Sequence, residues 1–559
     1  MTPPPTGSHR RSLARSPRRL PPPPGQPQSP RPGRAPAQRS NAVWLPALAV
    51  LLLGAAVVAV VTGELRIPAL AAAAACVLIV ARLLPPAAAL TLVLVLYAVV
   101  PFDYLALPAP FRILSPIIVF AALLAIATGA PPPPWLRRTR LVAPIAFTVY
   151  ALVIPVLRPQ GQIETIASWT VVVVIALIAL PLWMSDPSVF RPLTTALLLV
   201  SVVLAIVGTV EFTTRSNLYA EIFASAPLPL TQKWSVYRIL TTLGHPLVNG
   251  TFFASVGSLA FGLFLKGRRP GALLGFAACC AGVLLSGSRS AVIAIAVGVL
   301  VAGGVTVVRL TGSRLVRLIL AFAPLLVIVS TVGAQALDPR SETEEGARSA
   351  DVRDLVLRIG LKVLPTESGV FGSGGGLSGV VFAQNGGGNY VLESSLWQTV
   401  FSYGLIGTTL LLAHLLIVLI CSIARGAVAG PAMLVAYLVA ASAFNLLESA
   451  PASLIIPALA LLLTIAEARS EPAPPRALPP VPPRRVRPGE RSARSTDPHG
   501  ASGAGRARRS SRTGDKPGRS GRAAPRAPET APHAAVPASV LVASREPLDI
   551  PPPADTEEC

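Results

Sequence analysis

The chain has 559 residues and a mean hydropathy of +0.61, with 52% hydrophobic residues, 13% charged residues and a formal net charge of +22 at pH 7. A soluble globular domain carries about 25% charged residues, so this balance excludes an ordinary soluble protein. The apolar residues fall in long blocks, too many for a signal peptide followed by a soluble domain.

Residues 1–41 are rich in Pro, Arg and Ser, and the first 40 hold eight arginines and no acid. Nothing in this stretch repeats at helix or strand period, so it reads as a disordered, basic cytoplasmic tail. From residue 42 the pattern changes. Runs of about 18 or more apolar residues read as membrane spans. They must be helical, since lipid offers no partner for a free backbone N–H or C=O. The runs are 42–62, 67–84, 87–102, 113–130, 141–157, 166–184, 192–211, 250–265, 271–286, 290–307, 316–335, 397–422, 428–447 and 452–467. The start before Trp44–Thr62 shows no small-residue cleavage site, so the first run is kept as a span. The predicted fold is therefore all-α, a polytopic bundle over 42–467 with roughly 12–14 membrane helices, fourteen being the favoured number.

Basic residues in short loops set the orientation. With the N-terminus inside, the inner loops hold Arg82, then Arg137, Arg138 and Arg140, then Arg191, then Lys266, Arg268 and Arg269, then Arg309, Arg314 and Arg317, then Arg425. The same count puts both termini in the cytoplasm, predicts a multi-pass protein of the cytoplasmic (plasma) membrane, and leaves two long outer loops, 212–249 and 336–396. Residues 468–559 form a second disordered tail rich in Pro, Arg and Ala, with sixteen basic and ten acidic residues. Both tails read as solvated and held near anionic membrane lipid. No aromatic residues interleave with their arginines, so nucleic-acid binding is not expected. The five cysteines and five histidines are dispersed, and no spacing suggests a disulfide framework, a metal site or a bound cofactor.

Three polar patches on the outer face carry the candidate chemistry. The first is Trp234 to Gly250, where Arg238, His245 and Asn249 collect at the entry to a span. Its bland reading is interfacial anchoring by Trp and Tyr with a snorkelling arginine. The second, Leu285-Ser286-Gly287-Ser288-Arg289-Ser290-Ala291, interrupts an otherwise uncharged stretch from Pro270 to Val305. Arg289 has no acidic neighbour in sequence, so it either snorkels or meets an anionic ligand. The third is the loop 336–396. Within it Val352, Leu355, Val356, Ile359 and Val363 share one face of a predicted helix, and Asp351, Asp354, Arg358 and Lys362 share the other, which suits a helix on the outer membrane surface. A glycine-rich stretch follows, with Gly372 and Gly374, then Asn389, Tyr390 and Glu393.

Together these segments resemble the O-antigen ligase and O-antigen polymerase family of bacterial envelope glycan assembly, over about residues 235–410. Arg238 through His245-Pro246 and Asn249 is similar to that family's entry to a span. Ser288-Arg289 is similar to its Ser-Arg segment, and Arg353 followed by Gly372-Ser-Gly374 to the Arg and Gly-x-Gly of its large outer loop. Asn389-Tyr390 and Tyr403-Gly404-Leu405-Ile406-Gly407 are similar to its entry to the next span. The pattern departs at Gly388, where ligases of the family carry a histidine taken as catalytic. Glu393 and His245 are the nearest substitutes by sequence.

The resemblance implies a metal-independent glycosyltransferase without a cofactor. It implies transfer or polymerisation of a polyprenyl-pyrophosphate-linked glycan onto an acceptor glycan or lipid, outside the membrane. Arg289, Arg238, Arg353, His245 and Glu393 are then the catalytic candidates, and Ser288, Asn249, Gly372, Gly374, Asn389 and Tyr390 the substrate-binding ones. Arginine suits the charge that grows on a departing pyrophosphate, because its fork stays ionised and binds oxygens bidentately. The rival reading is a multi-span transporter or flippase of a polar or anionic solute. Against it stand the absence of a half-chain repeat and a sixty-residue outer loop that a transporter does not need.

Overall fold

The computed structural model describes residues 79, 84–105, 115–128, 141–157, 163–224, 236–267, 271–308, 344–388, 390–448 and 450–470, all within one compact unit, Met1–Leu478. The expected spans 42–62 and 316–335, nearly all of 67–84, the first tail and all of the second beyond residue 470 lie outside the described residues. Among those residues the structure is all-helical. In chain order the main helices are α1 (Pro86–Val99), α2 (Pro116–Thr128), α3 (Val142–Leu157) and α4 (Ile163–Val174). α4 runs on through a π-helical turn, Ile175–Ala179, into Leu180–Trp183. Then come α5 (Pro187–Thr214), α6 (Pro246–Leu265), α7 (Gly271–Ser286), α8 (Arg289–Val307), α9 (Glu344–Val363), α10 (Ser395–Ala424), α11 (Ala429–Ser442) and α12 (Ile455–Ser470).

Six of the helical segments are long and apolar enough to cross a membrane: Thr165–Trp183, Pro187–Thr214, Pro246–Leu265, Arg289–Val307, Ser395–Ala424 and Pro451–Ser470. Their surfaces fit lipid rather than water. On α5, Leu199, Val203, Ile206 and Val210 are all more than half exposed at helical spacing. α3 exposes Val142, Ile145, Val149 and Leu152, and α10 exposes Leu405, Leu412, Leu416 and Ile420. Apolar stripes of this length on a soluble monomer would be association sites; in a bilayer they are the natural outer face. These features identify a helical membrane protein.

Local sequence explains where the helices begin. Proline occupies the first helical position in α1, α5 and α6, where its missing N–H costs nothing. Asp186 caps α5 by accepting from Ser188 N at 2.7 Å, and Ser288 caps α8 by accepting from Ala291 N at 3.3 Å. The centre of the bundle is α6 with α11 and α12, whose side chains are almost all buried. Small residues let these helices close up: a Cβ on Gly262 would lie 2.6 Å from the Ala429 Cα, and one on Gly430 2.5 Å from the Thr464 Cα.

One end of the bundle is tied by Glu467, near the end of α12. Its carboxylate takes the Lys266 Nζ at 2.5 Å, Val428 N at 3.1 Å and Gly430 N at 2.8 Å. The other end gathers the 236–245 segment, the α7–α8 turn, the 372–378 and 390–394 segments, and the 443–450 connection. That end holds the candidate site.

Candidate site at one end of the bundle

The framework of the site is the 237–245 segment. Glu211, buried near the end of α5, accepts from Leu240 N and Thr241 N, both at 2.7 Å, and from the Tyr237 hydroxyl at 3.1 Å. Asn249 closes the segment from the α6 side. It accepts from the Thr241 hydroxyl at 2.5 Å and donates to Leu240 O at 2.6 Å and His245 O at 3.1 Å. Asn249 is wholly buried with its amide engaged on both sides. Its hydrogen bonds therefore shape the loop, and its burial leaves no open face toward a ligand.

Arg238 leaves this framework toward the α7–α8 turn. Its Nε donates to Ser286 O at 2.9 Å and its Nη2 to Gly287 O at 3.3 Å, while Ile239 N donates to Leu285 O at 3.3 Å. A planar fork suits two consecutive carbonyls. Gly287 turns with φ +58°, and the chain enters α8 at Arg289, which is half-buried at the first helical position. Ser288 is buried, and its hydroxyl caps α8 and lies 3.0 Å from the Ser290 hydroxyl. Its hydroxyl thus serves as the cap of α8.

α9 arrives as an amphipathic helix, as its periodicity requires, but its apolar face does not rest on a membrane. Val352, Val356, Ile359 and Val363 are buried against Val381, Phe382, Leu392, Val400 and Phe401, with Trp397 packed alongside. The expectation of a surface-lying helix is corrected: the partner is the entry of α10. Arg353 stands on the exposed side of α9.

The glycine-rich segment is also strapped down. Ser373 N donates to Phe401 O at 2.9 Å and Gly374 N to Ser402 O at 2.8 Å, beside a break in α10 at Gly404 (φ +67°). Gly372 has φ +80°, and a Cβ there would lie 2.5 Å from Gly404 N. Gly372 and Gly374 are buried in this packing. Glu448 pins the same segment from the 443–450 connection, accepting from Gly376 N at 3.0 Å and from the Ser378 and Ser402 hydroxyls. Asn389 lies outside the described residues. Tyr390 is exposed beside it.

Glu393 lies at the meeting point. It is half-buried, just ahead of Ser394, which caps α10. Burial raises its carboxyl above the usual glutamate range, and the cations of Arg353 and Arg238 pull it back down. The carboxylate therefore feels arginines from two segments far apart in the chain. His245 is near Arg238 as well. Burial, and then the Arg238 charge, push its pKa down to about 3, so it is neutral. Its ring stacks on Phe444, with centroids 4.9 Å apart, and its Nδ1 accepts from Leu247 N at 3.2 Å. With that lone pair engaged, the proton belongs on Nε2, and His245 can donate but is a poor base. That makes His245 the weaker of the two candidate bases, beside Glu393. Gly388, at the departure from the family pattern, has φ +53° and ψ −130°, a conformation that disfavours any side-chain-bearing residue although the surrounding space is open.

Sequence reading missed Glu211 and Glu448, which hold the site's two loops. The signal for Glu211 was present, since it is the single acid in an otherwise apolar run, and such residues are structural or functional anchors. Among the described residues no three of His, Cys, Asp and Glu gather as a metal site would require.

The fold and site together define a helical membrane protein with an arginine-rich, carboxylate-bearing polar site at one end of its bundle. No protein-family model matches the chain, and no characterised protein matches its sequence.

Proposed function

We propose that this protein transfers or polymerises a polyprenyl-pyrophosphate-linked glycan onto an acceptor glycan or lipid hydroxyl, as an O-antigen ligase- or polymerase-like glycosyltransferase of the cytoplasmic membrane. In this reading about fourteen helices span the bilayer, both termini are cytoplasmic, and the Arg238–Glu393 end faces outward. The observation that carries it is Glu393, a half-buried carboxylate under the charges of both Arg353 and Arg238.

The chemistry follows from those charges. The acceptor oxygen attacks the anomeric carbon as the bond from that carbon to the pyrophosphate oxygen breaks, and the bonding electron pair leaves with the pyrophosphate. Arg289 and Arg353 take up the growing negative charge. Arg238, already locked onto Ser286 O and Gly287 O, adds its charge and holds the turn that presents Arg289. Fixed cations at the place where charge develops are often the largest contribution to a lowered barrier. Glu393 accepts the acceptor hydroxyl's proton, a role that a raised carboxyl suits. His245 Nε2–H is an additional donor at the rim.

The test is the glycan profile of a deletion strain, with transfer assayed in proteoliposomes from lipid-linked oligosaccharide. Accumulation of short lipid-linked repeats marks a polymerase; complete polymer lacking its final attachment marks a ligase. A normal glycan profile together with solute uptake by the proteoliposomes would replace the enzyme with a transporter.

A further inference from the structure

The bundle holds a cleft of about 290 Å³ between α10 and α11, but leucine and other apolar side chains line it almost wholly, and they select no particular occupant. A second cavity is far smaller and chemically sharper. Its volume is about 10 Å³, roughly that of one water-sized sphere. It lies between α4, the entry of α10 and the 443–450 connection, with Trp169, Gln398, Thr399, Tyr403 and Glu448 on its wall.

The polar lining is one-sided. Gln398 is buried, its Nε2 donates to Asn445 Oδ1, and its Oε1 has no hydrogen-bond partner among the described residues. A buried acceptor left unmatched is costly. Thr399 gives its hydroxyl proton to Ser395 O at 2.7 Å, so only its lone pairs remain. Glu448 brings a carboxylate that already takes Gly376 N and the Ser378 and Ser402 hydroxyls. The two donors on the wall, the Tyr403 hydroxyl and Trp169 Nε1, are turned to the glycine-rich strap: Cβ atoms on Gly375 and Gly376 would lie 2.9 and 2.7 Å from them. Charge points the same way. Burial raises the Glu448 carboxyl above the usual glutamate range, and its hydrogen bonds bring it only part of the way back. Among the described residues no basic side chain pairs with it, whereas Glu467, at the other end of the bundle, has Lys266 at 2.5 Å. A buried charge is ordinarily paired or bound to a metal ion.

We propose that this cavity binds a sodium ion, held by the Glu448 carboxylate, Gln398 Oε1 and Thr399 Oγ1. Every ligand is a hard oxygen, the donor that hard cations take, so no cluster of His, Cys, Asp and Glu is needed. One carboxylate balances a single charge, which favours a monovalent over a divalent ion. The small volume favours sodium over the larger potassium. The consequence is mechanical. Glu448 already joins the glycine-rich strap to α10 beside its break at Gly404. A cation there ties the strap, α10 and the 443–450 connection into one unit, and takes no part in bond making.

The experiment compares purified full-length protein in sodium, potassium and choline chloride at about 0.15 M, so that screening is constant. Sodium should raise Tm by a few degrees and saturably, as a ligand of the folded state does, and potassium much less. Sodium should also slow amide hydrogen exchange over 373–376. Glu448→Gln removes the charge, and Gln398→Met removes the free oxygen at similar volume. Each should raise the half-saturating sodium concentration by about tenfold or more, the scale on which even outer partners of a metal site act. Glu467→Gln, which removes a carboxylate at the far end, should leave the sodium response unchanged. Equal Tm in the three salts would overturn the site and leave a water molecule or a neutral carboxyl in its place. A sodium response that persists unchanged in Gln398→Met would overturn it too, and that variant decides alone if Glu448→Gln does not fold. Potassium acting as strongly as sodium would overturn the assignment of the ion. None of these measurements uses glycan transfer, so a failed transfer assay leaves the sodium site standing and a failed sodium response leaves the enzyme reading standing.

Discussion

Arg238 and Arg289 differ in what surrounds them, and substitutions should separate their contributions. The Arg238 fork is already spent on Ser286 O and Gly287 O, so Arg238→Lys keeps the charge but loses the two-point hold on the turn. Arg289 presents its charge at the start of α8. Removing a charged donor from a desolvated anion site typically costs ~2–5 kcal/mol, so Arg289→Ala should reduce glycan transfer well over tenfold at unchanged protein level. Arg358, exposed and paired with Asp354 at 2.9 Å, is the matched control, and Arg358→Ala should be close to neutral. Equal losses in both would return Arg289 to a snorkelling role. The same scale fixes the pH behaviour. A base must be ionised to work, and burial raises the Glu393 carboxyl. Activity should therefore fall as pH drops through a value above the ordinary glutamate pKa of about 4.3. Arg353 lowers that value, so Arg353→Ala should move the acid limb of kcat/KM to higher pH, beyond any change in rate. Glu393→Gln should abolish the limb along with the activity. His245, held neutral by burial and the Arg238 charge, contributes no limb in the neutral range. A limb that stays in place in Arg353→Ala would show that Glu393 is not the titrating group.

At the level of single elements, α9 is the informative case. Its periodicity was readable from Val352, Leu355, Val356, Ile359 and Val363, but an apolar stripe is equally satisfied by lipid or by protein. Which of the two covers it depends on Trp397, Val400 and Phe401, some forty residues further along, and only the folded chain brings them together. The docking predicts an asymmetry on one helix. Ile359→Ala empties a buried position and should cost ~2–5 kcal/mol of local stability, read as faster proteolytic cleavage within 336–396. Leu361→Ala, exposed on the opposite side, should change the cleavage rate little. Equal, small effects would indicate that α9 lies free of α10. The glycines teach a similar lesson. Gly372 and Gly374 read in sequence only as part of a glycine-rich stretch, whereas the backbone bonds to Phe401 O and Ser402 O make them a strap across the break in α10.

For the whole molecule the open quantity is orientation. The two ends of the bundle are chemically distinct: one carries the Lys266–Glu467 pair, the other the arginine–carboxylate site. In the proposed topology the basic short loops put the first of these inside. In a cysteine-free background, a cysteine at Asp351, which is exposed on α9, should react with an impermeant thiol reagent in intact cells, and one at Arg138 should react only after lysis. Labelling of both in intact cells would refute the topology and with it an outward-facing site.

The sequence by itself determined the membrane character, the helical class and the positions of most described helices, because lipid enforces those through composition and run length alone. It also marked the ends of the helices, since Pro86, Pro187 and Pro246 at first positions and Ser288 as a cap act through their immediate neighbours. The site was legible only as a set of suspects. Arg238, Arg289, Arg353 and Glu393 are spread over more than 150 residues, and nothing local says that they share one end of the bundle. Tertiary structure decided which polar residues are spent on the protein's own backbone. Asn249 and Ser288 were drawn inward because buried backbone groups of the 237–245 loop and of the α8 terminus needed partners. Burial and the neighbouring Arg238 cation lower the His245 pKa, an environment that no sequence position carries with it. The cleft between α10 and α11 exists because two leucine-rich stripes face each other without closing, a property of how two helices pack and not of either one alone.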